Sequence, residues 1–503
     1  MPEPLDRPDW PWLSQRAGTD PDGPAIVWEK RTISFRDLAQ KVETIAGRIS
    51  ALGVRAGDRI ALLMDSSLRM VEVIHAAQRC GATLVPLNTR LSAAEIEALL
   101  IDADPRLLLY DLQRAESVSQ LRSQLSTLRF VEAYRDLDAA AAISPPGLSS
   151  LDLSAIHTIL YSSGTTGTPK GVMLTHANHW ASASASRAHL GIEPNDRWLL
   201  MLPLYHVGGL SIVLRSVIDG VPFHLHPDFN PARANAALRA EKITLVSVVS
   251  TMLLRMLDEN GGERYPGTLR CVLLGGGPIP EALVRRAIEL GAPVAQTYGL
   301  TEAASQVATA MVGDSRVRPR SCGRPLSGIK LKLGSPDASG RGEIQVNGPT
   351  VMAGYFRQHG AGIAALRDGW LHTGDIGHFD CDGFLYIDDR RSDLIVTGGE
   401  NVYPAEVENV LLAHPAVAEA AVYGVVDSQW GQRVAAAVVV RDGFETEAAL
   451  LREWCENRLA RFKLPKTIDF LEALPRTASG KIKRYLLRQN GDPVPRLRGT
   501  AHR

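Results

Sequence analysis

The chain has 503 residues, of which 45% are hydrophobic and 22% charged, and its 55 basic side chains balance 55 acidic ones. That length exceeds what one compact core organises and calls for two or more domains. The balanced charge excludes a whole-chain attraction to nucleic acid or to an anionic membrane, although a local anion site needs only a few donors. Cys80, Cys271, Cys322, Cys381 and Cys455 are scattered and form no CxxC pair, which favours reduced thiols over a disulfide framework or a zinc site. The opening "MPEPLDRPDWPW" lacks the basic-then-apolar order of a signal peptide. No run approaches about 18 apolar residues. The expectation is a cytoplasmic protein without a transmembrane segment.

In chain order, "SFRDLAQKVETIAGRISALGV" sets apolar residues at helical spacing behind Ser34, a candidate N-cap. "DRIALLM" reads as a strand, "SLRMVEVIHAAQRCG" as a helix ending at Gly81, and "ATLVPL" as the next strand. "SAAEIEALLIDADP" opens another helix with a capping box at Ser92 and Glu95. Residues 136–150, "DLDAAAAISPPGLSS", read as a surface linker. After them, "VPFHLH", "ITLVSVV", "LRCVLLGG" and "APVAQTYG" are short apolar strands, with helical patterns such as "PARANAALRAEK" and "PEALVRRAIELG" between. Strands alternating with helices imply parallel sheets covered by helices, which bind ligands at loops beyond the strand C-termini. Three polar or glycine-rich loops stand at such ends: "SSGTTGTPKG", "GGGPIP" and "YGLTE". "SGRGEIQVNGPTVMAGYF" has the alternation and turn residues of antiparallel structure. The charged stretch Asp388 to Asp393 separates two apolar runs and is a candidate hinge, followed by about a hundred residues with their own α+β pattern.

A strand that feeds a loop of glycines, hydroxyls and one lysine suggests phosphate binding. Glycines let backbone N–H groups approach an anion, hydroxyls donate, and lysine adds charge. The loop is not a Walker motif, because Pro169 stands five residues after Gly164 where that motif needs glycine. Taken alone, the stretch could equally be a surface turn.

Five stretches taken together resemble the adenylate-forming, acyl-CoA synthetase superfamily, over nearly the whole chain and in the family's order. "SSGTTGTPKG" is similar to its phosphate loop, "YGLTE" (298–302) to its adenine and magnesium motif, and "WLHTGD" (370–375) to its ribose motif. "DDRRSD" (388–393) is similar to its inter-domain segment and "PRTASGKIKR" (475–484) to its catalytic-lysine loop. The resemblance implies an α/β fold. A large N-terminal domain, residues 1–390, would hold parallel-rich sheets flanked by helices plus a distorted β-barrel-like part. A small mobile α+β C-terminal domain, residues 391–503, would follow a hinge near 390–393, with Ser392 at the hinge position.

The resemblance also implies roles. Ser162, Ser163, Gly164, Thr165, Thr166, Gly167 and Lys170 would hold the β- and γ-phosphates of ATP. Gly276, Gly277, Pro278, Tyr298, Gly299 and Thr301 would surround the nucleotide, with Tyr298 against adenine. Glu302 with Thr165 would sit near Mg2+, whose preference is for hard oxygen donors; the plainer alternative for Glu302 is a carboxylate favouring a helix N-terminus. Asp375 would bind the ribose hydroxyls with help from Arg390, the alternative being a surface ion pair. Lys481 would stabilise the charge that builds when a carboxylate attacks the α-phosphorus and pyrophosphate leaves. Gly398 and Gly399 would leave room for the pantetheine arm of CoA, or simply form a turn.

The implied reaction makes an acyl-adenylate and then a CoA thioester. The chain ends about 22 residues after Lys481, so the expectation is a free-standing ligase using ATP, Mg2+, CoA and a small carboxylic acid, compatible with a homo-oligomer. In "LLGGGPIP" and "QTYGLTE" the chain departs from the usual fatty-acid and acetate enzymes and resembles superfamily members that activate an aromatic diacid, which that resemblance implies as substrate; another aryl or medium-chain acid is the alternative. For the acid pocket the candidates are His206, Ser250, Gly276 and Ser305, with Thr251 and Gln306 as further neutral donors. Arg215 is a candidate cation unless its helix turns it to solvent. An unpaired buried anion is costly, so a second carboxylate requires such a partner.

Overall fold

The computed structural model describes residues 4–145, 147, 150–162, 169–277, 279–357, 365–389, 394–475, 482 and 484–489. The chain divides into two compact units, one built from residues 1–89, 97–162 and 170–390 and the other holding residues 391–503 and the segment 90–96.

Two sheets dominate the first unit. Among the described residues, one has seven strands in the order Gly354–Tyr355, Lys170–Thr175, Ile156–Ser162, Thr83–Pro86, Arg59–Leu63, Leu107–Tyr110 and Arg129–Glu132. From Ile156–Ser162 onward its strands are parallel, and the first two are added antiparallel. The central strands Thr83–Pro86 and Leu107–Tyr110 are buried at every position, as parallel strands covered on both faces must be. One covering helix, Phe35–Ala51, buries Phe35, Leu38, Val42, Ile45 and Ile49 at helical spacing. It starts at Ser34, whose side chain and that of Asp37 form a reciprocal capping box.

The second sheet has nine described strands. Six of them, Val294–Leu300, Cys271–Leu274, Leu245–Val248, Trp198–Leu200, Phe223–Leu225 and Pro24–Trp28, run parallel. At one end Val294–Leu300 is joined antiparallel by Ser305–Thr309. A third, antiparallel sheet follows, built from Lys330–Gly334, Gly342–Asn347, Trp370–Phe379, Leu366–Arg367 and Leu385–Asp389. The segment read as a linker is partly folded: Asp136–Ala139 is a helical turn, Leu137 is fully buried, and Asp138 pairs with Arg48 and Arg69. Alanine-rich composition hides these long-range ion pairs.

In the second unit, the hairpin of Val417–Asp427 and Gly431–Val440 forms a sheet with Ile395–Thr397, Glu400–Val402 and Thr467–Phe470. The helices Pro404–Leu412 and Ala448–Glu456 carry Val407, Leu411, Leu451 and Cys455 into its core. No helix among the described residues is long and apolar enough to cross a membrane. Cys80, Cys271, Cys322 and Cys455 are buried free thiols, and Cys381 is exposed.

The strand Ile156–Ser162 contributes to a buried histidine cluster. His157 of that strand stacks on His176 at 4.6 Å, stands edge-on to His179 at 5.2 Å, and meets the edge of Trp12 at 5.9 Å. His179 Nε2 lies 2.9 Å from Thr158 Oγ1, and His176 Nδ1 lies 3.1 Å from the Asp152 carbonyl. Burial depresses these three and also His75, a buried neighbour of His157 on the helix Leu68–Arg79: His75 and His176 to about 4, His179 to about 3, and His157 well below the ordinary range, where the neighbouring histidines add repulsion. These groups are neutral in the fold and protonate in the unfolded chain below about pH 6.5. Their contribution is therefore complete above that pH and lost as pH falls toward the folded values. The melting temperature is expected to drop between about pH 6.5 and about pH 4. In His157→Phe that drop should be shallower, as measured by thermal melts across the range. An unchanged pH slope in the variant would rule the cluster out as its source.

Candidate functional site

The site is built around the C-terminal end of the strand Val294–Leu300. There the chain reverses within a few residues to pair with Ser305–Thr309. Gly299 is squeezed in this reversal, since a Cβ on it would fall 2.0 Å from the Ser305 carbonyl oxygen. Ala304 and Ser305 both take positive φ, 52° and 99°, a backbone state that costs roughly 1–3 kcal/mol each for residues with a Cβ. A buried hydroxyl holds the turn in place: Ser182 Oγ, from the helix His176–Leu190, donates to the Ala304 carbonyl at 2.6 Å.

On one side of this turn, the fully buried Tyr298 donates its hydroxyl to Asp375 Oδ2 at 2.7 Å. The structure thus joins two candidates that lie in separate motifs. Asp375 is aimed by a bulge. Glu343 pairs with Ile376 and Gln345 with His372, so Thr373, Gly374 and Asp375 stand opposite the single residue Ile344. Gly374 supplies the required positive φ of 75°. Thr373 Oγ1 donates to the Ile344 carbonyl at 2.7 Å and accepts from the Asp375 N–H at 3.1 Å. Glu343 clamps the bulge with both oxygens: Oε1 accepts the Gly374 N–H and Oε2 faces His372 Nδ1, each at 2.9 Å. Asp375 is therefore no surface ion pair, and among the described residues Oδ2 alone of its oxygens receives a hydrogen bond.

On the other side, Glu302 lies in the short 3₁₀ turn Thr301–Ala303. Its Oε1 accepts from the Tyr355 hydroxyl at 2.9 Å. This is not the carboxylate of a helix N-terminus, because the turn is three residues long and the partner is a phenol. The strands on either side of the candidate phosphate loop pair antiparallel, Ser162 opposite Lys170. Lys170 Nζ stands 5.2 Å from the centre of the Tyr355 ring. Gly276, with φ of 78°, and Gly277 form the turn after Cys271–Leu274, and a Cβ on Gly276 would press on Val249 at 3.2 Å. Ser163, Gly164, Thr165, Thr166, Gly167, Pro278, Arg390, Ser392 and Lys481 lie outside the described residues.

The acid-pocket candidates are dispersed over neighbouring elements. His206 precedes the helix Val207–Asp219, with its ring edge-on to Tyr205 at 4.8 Å; Ser250 opens the helix Ser250–Glu259; Ser305 opens its strand. The helix Val207–Asp219 packs against Ser305–Thr309, where Gln306 is buried and donates to Thr309 Oγ1 at 3.1 Å. Arg215 does not face solvent: it is 3% exposed, and its Nε and Nη2 are buried without a hydrogen-bond partner among the described residues. Burial lowers it to about 10, against the pull of Asp219. Burial raises Asp219 to about 6, opposed by Arg187, which bonds it at 2.7 Å, and by Arg215 and Arg16.

In the second unit, Gly398 and Gly399 form a two-residue hairpin turn, with Thr397 paired to Glu400 and φ of 59° and 86°. Both positive values suit glycine in a hairpin of this length. Trp430, which belongs to none of the five motifs, packs on this turn. A Cβ on Gly398 would meet its ring at 2.9 Å, and the Gly398 N–H donates to its carbonyl at 2.9 Å.

The donors fit the groups the motifs imply. Glu302 is one hard carboxylate, bonded to the tyrosine whose ring Lys170 also meets, and magnesium bound to substrate phosphates needs no all-protein cage. Among the described residues no group of three or more His, Cys, Asp or Glu could hold a metal ion by itself. Asp375 keeps an acceptor oxygen for a diol.

Known proteins match the chain over most of its length. The AMP-binding enzyme family matches residues 13–356, and the AMP-binding enzyme C-terminal domain matches residues 406–481. The 2-succinylbenzoate–CoA ligase of Bacillus cereus (strain Q1) is 44% identical over 482 residues, covering 95% of this chain and 98% of the relative. Two structures of the Bacillus subtilis o-succinylbenzoate CoA synthetase (MenE) are each 40% identical, over 95% of this chain and 98% of theirs. A double mutant bound with the product analogue OSB-NCoA superposes with a TM-score of 0.89, and the complex with ATP and magnesium with 0.72.

Gly299→Ala is expected to cost about 1–3 kcal/mol of stability, because the added Cβ cannot be accommodated against backbone. It should also depress ATP–pyrophosphate exchange. Urea denaturation and exchange assays check both, and a variant as stable and active as the parent would contradict the account of the turn.

Proposed function

Because the chain belongs to the AMP-binding enzyme family and is an AMP-forming acid–CoA ligase, we propose that the acid it activates is 2-succinylbenzoate. The succinyl carboxylate attacks the α-phosphorus of ATP and pyrophosphate leaves. The thiol of CoA then attacks the carbonyl of the acyl-adenylate, and AMP leaves. This is the ligation step that menaquinone biosynthesis requires, and we place it in the cytoplasm.

In this reading each residue has a task. Asp375 accepts the ribose hydroxyls, and the Tyr298 hydroxyl keeps it aimed. Lys170, with Ser162, Ser163, Gly164, Thr165, Thr166 and Gly167, holds the β- and γ-phosphates. Glu302 and Thr165 hold the magnesium ion, which supplies charge neutralisation at the phosphates. Lys481 stabilises charge at the α-phosphorus. Arg390 assists at the ribose, and Gly398 and Gly399 let the pantetheine arm pass. Residues 1–390 bind ATP and acid, and residues 391–503 bring Lys481.

The observation that carries the acid assignment is Arg215. With two nitrogens unfilled among the described residues, its buried guanidinium is a costly arrangement that an anion would complete. The benzoate carboxylate of the diacid is such an anion, and His206, Ser250, Gly276 and Ser305 remain the neutral candidates for the rest of the acid pocket. The alternative acids, monocarboxylic aryl or medium-chain ones, leave Arg215 unanswered.

A panel of acids with ATP and CoA, read as thioester by mass, should show the largest kcat/KM for 2-succinylbenzoate. A medium-chain acid in first place would overturn the assignment. Arg215→Met should raise KM for the aromatic diacid by roughly 10- to 100-fold, the scale of a charge-assisted hydrogen bond. For ATP, KM should stay within about twofold. Benzoylpropionate, which lacks the ring carboxylate, should be used equally by parent and variant. An equal loss for both acids would remove Arg215 from carboxylate recognition.

A further inference from the structure

We propose that Tyr355 is the positioning residue that sets the two charges flanking the β- and γ-phosphates, holding Glu302 through its hydroxyl and Lys170 through its ring. The inference rests on the reading of Lys170 and Glu302 given above and adds a residue that lies in neither motif.

The backbone around Tyr355 is tied to both of its clients. The two-residue strand Gly354–Tyr355 pairs with the strand that begins at Lys170, Tyr355 opposite Val172 and Gly354 opposite Met173. The Phe356 N–H donates to the Gly171 carbonyl at 2.7 Å and the Ala353 N–H to the Met173 carbonyl at 3.0 Å. At the other end of the segment, the Met352 N–H donates to the Glu302 carbonyl at 2.9 Å. Residues 352–356 therefore run from the backbone of Glu302 to the backbone beside Lys170.

The side chain repeats that bridge. The phenol donates to Glu302 Oε1 at 2.9 Å, while Lys170 Nζ stands 5.2 Å from the ring centre, within range of attraction to an aromatic face. The two contacts differ in kind, and the difference suits the chemistry. A hydrogen bond to one oxygen removes the rotational freedom of the carboxylate and leaves the other oxygen for a cation or its water. A neutral ring attracts the ammonium without cancelling its charge, as a carboxylate partner would. Tyr355 thus touches one group of each sign that a metal–triphosphate calls for.

Three variants test this: Tyr355→Phe, Tyr355→Leu and Glu302→Gln. Mn2+ uptake in the presence of ATP, without acid or CoA, is followed by water-proton relaxation. ATP binding in EDTA is followed by calorimetry, and the Mg2+ dependence of pyrophosphate release is measured alongside. Tyr355→Phe keeps the ring, so it should weaken Mn2+ uptake roughly tenfold, the scale of a hydrogen bond to a charged group. Its kcat should return at high Mg2+, and metal-free ATP binding should be unchanged. Tyr355→Leu should also weaken metal-free ATP binding about threefold or more. If Tyr355→Leu does not fold, the conservative Tyr355→Phe carries the test alone. Parent-like Mn2+ uptake in Tyr355→Phe, with uptake lost in Glu302→Gln, would overturn the role of Tyr355 and leave Glu302 standing. Uptake unchanged in Glu302→Gln as well would remove the reading of Glu302 and this inference with it.

Discussion

The reversal at residues 299–305 is the constraint on which the site depends. A parallel strand usually ends in a loop that leads away to a helix. Here Val294–Leu300 turns back at once to pair with Ser305–Thr309. That sharp return leaves no space for a side chain at residue 299 and forces positive φ on Ala304 and Ser305. The strain persists because surrounding structure overdetermines it, with Ser182 on the Ala304 carbonyl and the Met352 N–H on the Glu302 carbonyl. In return, Tyr298 and Glu302 leave one short segment in two directions, toward Asp375 and toward Tyr355.

The wall opposite is aimed by a different device with the same logic. Asp375 stands in a three-against-one bulge, and Glu343 holds the bulge by a backbone N–H and a histidine. Neither Glu343 nor Ser182 belongs to a motif that names the chemistry. Each fixes a backbone that bears a motif residue, which is how a few reactive groups are kept near a productive geometry.

The sequence makes most of this visible at the level of elements and motifs. Alternating apolar runs give the parallel strands, Ser34 and Ser92 start helices, and Tyr298, Glu302 and Asp375 stand in recognisable stretches. What it conceals are partnerships made across long separations. Tyr355 follows a glycine in what reads only as an antiparallel turn, and nothing local ties it to residues 302 and 170. Asp138 sits in alanine-rich sequence and reveals its arginines only when folded. Arg215 is ambiguous in the sequence for a physical reason: its helix is buried from Gly209 through Asp219, so periodicity offers no polar face to decide which way a charged residue points.

That ambiguity bears on substrate choice. Asp219, one helical turn beyond Arg215, is already bonded by Arg187 at 2.7 Å, so it answers Arg215 only in part. Arg16 also bears on Asp219, while its guanidinium donates to the Val217 and Ile218 carbonyls at the end of the same helix. Arg187, Arg215 and Arg16 thus all bear on the buried Asp219, with Asp20 as a second carboxylate near Arg16, and the three cations outnumber the two anions. On the proposed reading this surplus discriminates more by exclusion than by attraction. A monocarboxylic acid commits its only carboxylate to ATP and leaves buried donors unpaired, and sites with unpaired polar groups reject such analogues more strongly than apolar pockets reject a missing methylene. A diacid with its second carboxylate on the ring completes the charge without moving the backbone, and selectivity then follows from a pocket that is electrostatically unfinished until its own substrate is bound.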